Sequence, residues 1–183
     1  MKTLVLYQSN TGCTKAYAEA IAQGIHGDVM PLKKFKAYKK IRENYDAVVF
    51  GGWIMGNTIQ GIDKFLTHWD EMEGMVVLVF AVGMGIPTDE SRKILISQNV
   101  LDLYHLRFYQ FRGSYDYAKL KFPYNLYMNI SMKRIEQDPS MSENSADLLQ
   151  LKERPLYFND TEKVEKILTV LRTEAAKMEV TKA

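Results

Sequence analysis

The chain has very little of what disulfide frameworks and metal sites require. It contains one cysteine and three histidines among 183 residues. A lone cysteine excludes an internal disulfide and a cysteine-based metal centre. His26, His68 and His105 are scattered along the sequence, so they form no ligand cluster and we expect no metal site.

Long apolar runs are also missing. No stretch approaches the roughly 20 apolar residues that a membrane-spanning helix needs. The first residues do not have the pattern of a signal peptide, because Lys2 is followed by only a short apolar run before Gln8. There is no visible repeat, and the hydrophobic fraction of 46% is normal for a globular protein. We therefore expect a single cytoplasmic domain over residues 1–183.

Strand and helix patterns alternate along the chain. Apolar runs predict strands at 3–8, 28–32, 47–52, 75–82 and 105–111. Helical patterns cover 12–26, 33–42, 58–69, 88–103 and 160–178, with Asn159 or Asp160 as the cap of the last helix. This alternation predicts an α/β fold with a doubly wound, five-stranded parallel sheet in the order 2-1-3-4-5. A ligand of such a sheet binds beyond the carboxyl ends of its first and third strands.

A hydroxyl-rich loop follows the first predicted strand and opens the first helix. This first loop consists of Ser9, Asn10, Thr11, Gly12, Cys13 and Thr14. Its hydroxyls and amide can donate hydrogen bonds, Gly12 tolerates a positive φ, and a helix N-terminus favours anions. The loop has no lysine and lacks the GxxxxGK[ST] pattern. It therefore predicts a site for the terminal phosphate of a cofactor, with an ordinary capped turn as the alternative.

Two further loops should lie on the same edge of the sheet. The second loop, 51–58, contributes Gly52, Trp53, Ile54, Met55, Gly56 and Asn57, and the third loop, 81–88, contributes Gly83, Met84 and Gly85. The glycines permit close backbone approach, and Trp53 offers a flat face to a flavin ring or, alternatively, packs in the core. Together the three loops predict a flavin site, in which the chemistry belongs to the flavin and no catalytic residue is assigned.

Cys13 has two interpretations. Its position at a helix N-terminus favours a reactive thiolate. The alternative is a small side chain that fills a loop position, because no second cysteine or histidine lies near it in the sequence.

A basic segment follows the second predicted strand. Residues 33–42 hold six basic residues and no acidic one. On a helix, Phe35, Tyr38 and Ile41 would share one face, which predicts contact with an anionic membrane surface or an acidic partner. A solvated helix on the outside of the sheet is the alternative.

About forty residues, 114–155, separate the last predicted strand from the last helix, and we call this segment the insertion. Tyr124, Tyr127, Met128 and Met132 lie on one helical stripe. A parallel strand delivers the following chain to the ligand-binding edge, so we expect 114–136 to be a lid or substrate wall, with membrane contact through 120–135. The polar part, 138–154, is predicted to be flexible. A helix that merely extends the core is the alternative.

The sequence Ser9-Asn10-Thr11-Gly12-Cys13-Thr14 resembles the phosphate loop of flavodoxins. That resemblance implies a flavodoxin-like fold with FMN, its phosphate surrounded by this loop. Residues 1–7 and 43–49, together with the segment Gly113-Ser-Tyr-Asp-Tyr…Tyr127-Met-Asn-Ile-Ser-Met-Lys, resemble the flavodoxin-type (menaquinone-dependent) protoporphyrinogen oxidase family. In that family FMN accepts electrons from protoporphyrinogen IX and passes them to a membrane quinone.

The sequence therefore predicts an FMN-dependent oxidoreductase. Its electrons pass between a small hydrophobic donor, such as protoporphyrinogen IX, and a quinone or a redox protein, and no nucleic acid is involved. We expect a cytoplasmic location, with peripheral contact at the inner membrane face. The alternatives are a flavodoxin-type electron carrier without substrate chemistry and a flavin-free binding domain. Flavodoxins as a family are acidic, whereas this chain has a net charge of +2, which favours the oxidoreductase.

Overall fold

A β-sheet with helices on both faces organises the computed structural model, which describes residues 1–114, 116, 118, 120, 123–141, 145–150, 155–157 and 160–182. The strands are β1 (Thr3–Gln8), β2 (Asp28–Pro31), β3 (Ala47–Met55), β4 (Thr58–Ile59), β5 (Val76–Gly83) and β6 (Arg107–Arg112). The α-helices are α1 (Cys13–Gly24), α2 (Ile41–Asn44), α3 (Ile62–Leu66), α4 (Trp69–Met72), α5 (Asp89–Gln98), α6 (Tyr124–Gln137), α7 (Ser145–Gln150) and α8 (Thr161–Lys182). Short 3₁₀ helices cover Leu32–Lys34, Tyr38–Lys40 and Pro139–Met141.

Five strands pair in parallel in the order β2-β1-β3-β5-β6. The two-residue β4 lies outside this path as an antiparallel partner of β3. With β4 set aside, this is the predicted order 2-1-3-4-5, so the flavodoxin-like doubly wound fold is confirmed. Leu6 of β1 lies between Met30 of β2 and Phe50 of β3. The winding direction reverses at β1, which makes the carboxyl ends of β1 and β3 the expected ligand position.

Alternate residues of the central strands face two separate cores. Val49 packs on one face, together with Ile21 of α1 and Ile167 of α8. Phe50 packs on the other face, where its ring stacks on Phe65 of α3 at a centroid distance of 4.8 Å. Because both faces are covered, the central strands are apolar along their whole buried length rather than alternating in polarity.

Most of the second loop is β-strand. The third strand was predicted to end at residue 52 and a helix was predicted over 58–69, and both predictions are wrong. β3 continues to Met55 and returns as β4, and helices begin only at Ile62 and Trp69. Gly51 and Gly52 were predicted both as the end of the third strand and as the start of the second loop. A Cβ on Gly51 would lie 2.1 Å from the Phe80 ring, and one on Gly52 would lie 2.5 Å from Ile59. These glycines are required by packing inside the sheet, not by a loop.

The basic segment 33–42 is not one helix, so that prediction is wrong. It consists of two 3₁₀ helices and the start of α2. Phe35, Tyr38 and Ile41 are buried, and the Tyr38 ring stacks on His68 at a centroid distance of 3.7 Å. The apolar side chains that were predicted to meet a membrane therefore belong to the core, while the lysines between them remain exposed.

The insertion contributes α6, a 3₁₀ helix and α7. Met132 and Ile135 on the inner side of α6 are buried. The part predicted to be flexible, 138–154, includes residues 142–144 and 151–154, which lie outside the described residues. Asn159, one of the two predicted caps of α8, also lies outside them. Asp160, the other, directly precedes α8. None of the helices in the described part of the chain is long and apolar enough to cross a membrane.

A buried amide joins the β3–β4 hairpin to the end of α5. Asn99 directly follows α5 and is 4% exposed. Its Oδ1 accepts a hydrogen bond from the Ile59 N–H at 2.8 Å. Its Nδ2 donates to the carbonyls of Asn57 and Leu95, both at 2.8 Å. All three partners are backbone groups, so this side chain fixes the position of the hairpin turn.

Replacing Asn99 with alanine should lower the free energy of unfolding by about 2 kcal/mol, because the buried Ile59 N–H and two carbonyls lose their partner. Chemical denaturation measures the change. Asn44→Ala is the control: its exposed amide donates to the Lys40 carbonyl, and we expect a loss of no more than about 0.5 kcal/mol. Equal losses in the two variants would contradict the role assigned to Asn99.

Candidate functional site

A cavity of about 690 Å³ lies beyond the carboxyl ends of β1, β3 and β5. The structure brings most of the predicted site residues together in its lining: Asn10, Thr11, Cys13, Thr14, Trp53, Ile54, Met55, Gly56, Asn57, Gly83, Met84 and Gly85. Ser9, Gly12 and Gly52 are not part of the lining. The three loops that the sequence assigned to one edge of the sheet therefore surround one space.

Ser9, Gly12 and Gly52 shape the walls from outside the cavity. The Ser9 Oγ accepts a hydrogen bond from the Gly12 N–H at 3.2 Å. Gly12 directly precedes α1 with a φ of 100°, a left-handed conformation that glycine adopts without strain. Gly52 is buried against Ile59. These residues set the course of the backbone, and ligand contact stays a prediction for them.

The N-terminus of α1 supplies unpaired donors to the cavity. The first backbone hydrogen bond of the helix joins the Ala16 N–H to the Gly12 carbonyl at 3.0 Å, so the N–H groups of Cys13, Thr14 and Lys15 have no partner within the helix. The first turn contains no acidic residue. Thr14 is 2% exposed, yet it lines the cavity and places a hydroxyl donor there. This set of donors fits a phosphate group.

The lining offers little acid–base chemistry. Glu90 carries the only charge among the described lining residues, which include no histidine, lysine or arginine. The part of the chain that the structure describes also holds no group of three or more His, Cys, Asp or Glu side chains arranged to bind a metal ion. The remaining walls provide hydrogen bonds and apolar contacts, which suit the binding of a planar organic group.

The insertion reaches the cavity through α6. The Trp53 and Tyr124 rings meet edge to face, with centroids 5.0 Å apart and an interplanar angle of 89°. Tyr127 and Met128, further along α6, also line the cavity. Trp53 is half-buried and faces this space rather than the centre of the core. α6 therefore forms one wall of the cavity.

Cys13 is packed rather than activated. Burial raises the pKa of its thiol, and a backbone hydrogen bond from Ser114 opposes this shift. A Cβ on Gly113 would lie 3.1 Å from the Cys13 Sγ, which shows how closely the chain passes the thiol. The raised pKa favours the small, packed side chain over the reactive thiolate.

Sequence reasoning missed the wall that α5 and β6 provide. Thr88 and Ser91 form a capping box, in which the Ser91 N–H donates to the Thr88 Oγ1 at 3.1 Å and the Thr88 N–H donates to the Ser91 Oγ at 3.0 Å. The Ser91 hydroxyl also donates to the Gln110 Oε1 at 3.2 Å. The spacing Thr-x-x-Ser marks a helix start. No local pattern indicates that Gln110, on the next strand, lines the same cavity.

Comparison with known proteins gives a family and a set of similar folds. The model of the flavodoxin domain family matches residues 4–142. A flavodoxin from the domain Archaea is 23% identical, with 61% of this chain and 83% of that chain covered and a TM-score of 0.48. Flavodoxin 1 of Bacillus cereus is 16% identical, with 69% of this chain and 90% of that chain covered and a TM-score of 0.44. Megasphaera elsdenii flavodoxin is 16% identical, with 60% of this chain and 83% of that chain covered and a TM-score of 0.46. No curated protein matches the chain.

Replacing Thr11 or Thr14 with alanine should weaken the binding of FMN, the phosphate-bearing ligand that the sequence predicts. A hydrogen bond to a charged acceptor contributes about 1.5–3 kcal/mol, so we expect affinity to fall by about 10- to 150-fold. Fluorescence titration of the apo-protein measures the dissociation constant.

Thr14→Ser keeps the hydroxyl and should retain most of the affinity. Thr173→Ala, on the exposed side of α8 where the hydroxyl donates to the Thr169 carbonyl, should bind like the parent. If the Thr11 and Thr14 alanine variants also bind like the parent, the phosphate does not lie in the first loop.

Proposed function

This chain belongs to the flavodoxin domain family, whose members bind FMN and transfer electrons, and we propose that it is an FMN-dependent oxidoreductase with a hydrophobic electron donor. The acceptor is a quinone or a redox partner. When bound, FMN supplies the redox chemistry. The observation that carries the proposal is the apolar rim of the cavity.

The donors of the first loop are the groups that would hold the FMN phosphate. Asn10, Thr11 and Thr14 contribute side chains, and the start of α1 contributes its unpaired N–H groups. The hairpin residues 53–57 and the third-loop residues 83–85 would border the ring. Backbone N–H groups near the ring atoms that gain or lose protons tune a flavin's potential, and these two segments would supply such groups.

Exposed apolar side chains lie in the lining of the cavity and elsewhere on the helix α6 that forms one of its walls. Ile86 and Ile94 line the cavity from the third loop and α5, and they are 47% and 37% exposed. On α6, Tyr127 lines the cavity and is 49% exposed, whereas Leu126 and Ile130, 52% and 46% exposed, lie on the same helix outside the lining. Exposed apolar groups gathered beside a pocket are typical of a surface that binds an apolar ligand, a partner or a membrane.

The resemblance of residues 113–133 to flavodoxin-type protoporphyrinogen oxidases makes protoporphyrinogen IX the first donor to test and a quinone the first acceptor. Of the two predicted membrane contacts, 33–42 has its apolar side chains in the core. The exposed apolar residues of α6 fall within the other, 120–135. We propose that α6 brings the cavity to a membrane surface from the cytoplasmic side.

A second candidate is an electron carrier without substrate chemistry. The observation that favours it is the lysine-rich surface of the segment 33–42. Its five lysines are exposed, and none forms an ion pair with another residue in the described part of the chain. A positive surface of this kind steers an acidic redox protein toward the chain.

Leu126→Glu and Ile130→Glu test whether the exposed apolar surface of α6 extends the rim. Both positions are exposed, so we expect folding and FMN affinity to persist. The KM for a porphyrinogen or quinone should rise by about fivefold or more, because a charge replaces apolar contact area. Steady-state kinetics with these substrates provides the measurement. Leu103→Glu, equally apolar in the parent and 73% exposed in the turn that precedes β6, is the control and should not change the KM.

Unchanged kinetics in the two rim variants would contradict a donor surface on α6. A parent protein that binds FMN and reduces a redox protein, yet converts neither a porphyrinogen nor a quinone, would favour the carrier. A colourless parent that takes up no FMN would contradict both functions.

A further inference from the structure

Arg112, the last residue of β6, contacts both the third loop, which lines the cavity, and α7 of the insertion. Its Nε donates a hydrogen bond to the Met84 carbonyl of the third loop at 2.9 Å. Its Nη2 donates to the carboxylate of Asp147 on α7, in the returning part of the insertion. The Arg112 side chain is 18% exposed, so solvent screens these contacts only in part.

The backbone of Arg112 is held by Tyr17 and Asp160, which are not partners of its side chain. Its N–H donates to the Asp160 carboxylate at 2.5 Å, and its carbonyl accepts from the Tyr17 hydroxyl at 2.8 Å. The Tyr17 oxygen in turn accepts from the Asp160 N–H at 2.8 Å. The Tyr17 hydroxyl is protonated and donates at neutral pH, and burial raises its pKa further, to about 12. α1 and the start of α8 therefore hold the end of β6 in place.

The residue after Arg112 holds the third loop at a second point. The Gly113 N–H donates to the Gly83 carbonyl at 2.8 Å. Two successive carbonyls of the third loop, those of Gly83 and Met84, are therefore bound by two successive residues at the end of β6. Gly83 and Met84 both line the cavity, and their conformation depends on this pair of bonds.

We propose that Arg112 is a positioning residue that sets the third loop and the insertion together. A guanidinium presents its donors in a fixed plane, so it can hold a carbonyl and a carboxylate at the same time, whereas the compact ammonium group of lysine cannot reproduce that geometry. Because one rigid group joins both, the wall beside the cofactor and the placement of the insertion depend on the same side chain. This inference rests on the proposed function in so far as the third loop borders FMN.

The test compares Arg112→Lys, Arg112→Gln and Asp147→Asn with the parent. Arg107→Lys is the matched control, since Arg107 lies on the same strand, where it forms an exposed ion pair with Glu174 at 3.2 Å. Three properties are measured: the FMN dissociation constant, the midpoint potential of the bound FMN, and the rate at which a protease cuts the insertion in the apo-protein.

Both Arg112 variants should bind FMN at least about fivefold more weakly, shift the midpoint potential and show faster cleavage of the insertion. Asp147→Asn should speed that cleavage by about fivefold or more but leave FMN affinity within about twofold of the parent, because Arg112 still holds Met84. Arg107→Lys should match the parent in all three measurements.

Arg112→Lys with parent-like FMN affinity and cleavage would overturn the inference, as would Asp147→Asn with parent-like cleavage. General destabilisation of the Arg112 variants with an unchanged midpoint potential would also overturn it, because that result assigns the residue a structural role alone. If Arg112→Gln does not fold, the results for Arg112→Lys and Asp147→Asn still test the inference. If the parent protein binds no FMN, only the proposed function is contradicted. The cleavage rates of the apo variants still test whether Arg112 joins the third loop to the insertion.

Discussion

The parallel pairing of β1 with β3, and of β3 with β5, is the constraint on which the rest of this structure depends. In parallel strands the chain leaves every strand at the same edge, so the first loop, the hairpin after β3 and the third loop must meet there. Helices cover both faces of the sheet, and the carboxyl edge therefore holds the backbone groups that secondary structure leaves unpaired. The N–H groups at the start of α1 are the clearest example.

The chemistry of the cavity follows from this placement. Its donors converge at the end of β1, and its apolar residues lie along the hairpin, the third loop and α6. Glu90 aside, the described lining is uncharged, so the protein contributes binding and orientation rather than proton transfer by charged side chains. The exposed rim on α6 and the lysine-rich surface of 33–42 are different kinds of surface, one apolar and one cationic. The proposed donor uses the first, and a water-soluble acidic partner would use the second.

Features that depend on neighbours in the sequence could be predicted, and features that depend on distant packing could not. The bounds of β1 and the order of the parallel strands follow from apolar runs and from the alternation of strands and helices. The second loop was predicted to begin at Gly51, before the strand ends, because the close approach of Phe80 and Ile59, which demands glycine there, comes from other elements. The segment 33–42 was assigned to a helix for a similar reason: the core that buries Phe35 and Tyr38 is built by residues distant in the sequence.

The central claim is that this edge of the sheet holds FMN chiefly by its phosphate. Calorimetric titration of the apo-protein with FMN and with riboflavin, which has the same ring but no phosphate, tests that claim most directly. Two or more charge-assisted hydrogen bonds to the phosphate should make FMN bind at least about a hundredfold more tightly than riboflavin. Equal affinities, or no binding of either compound, would contradict the account.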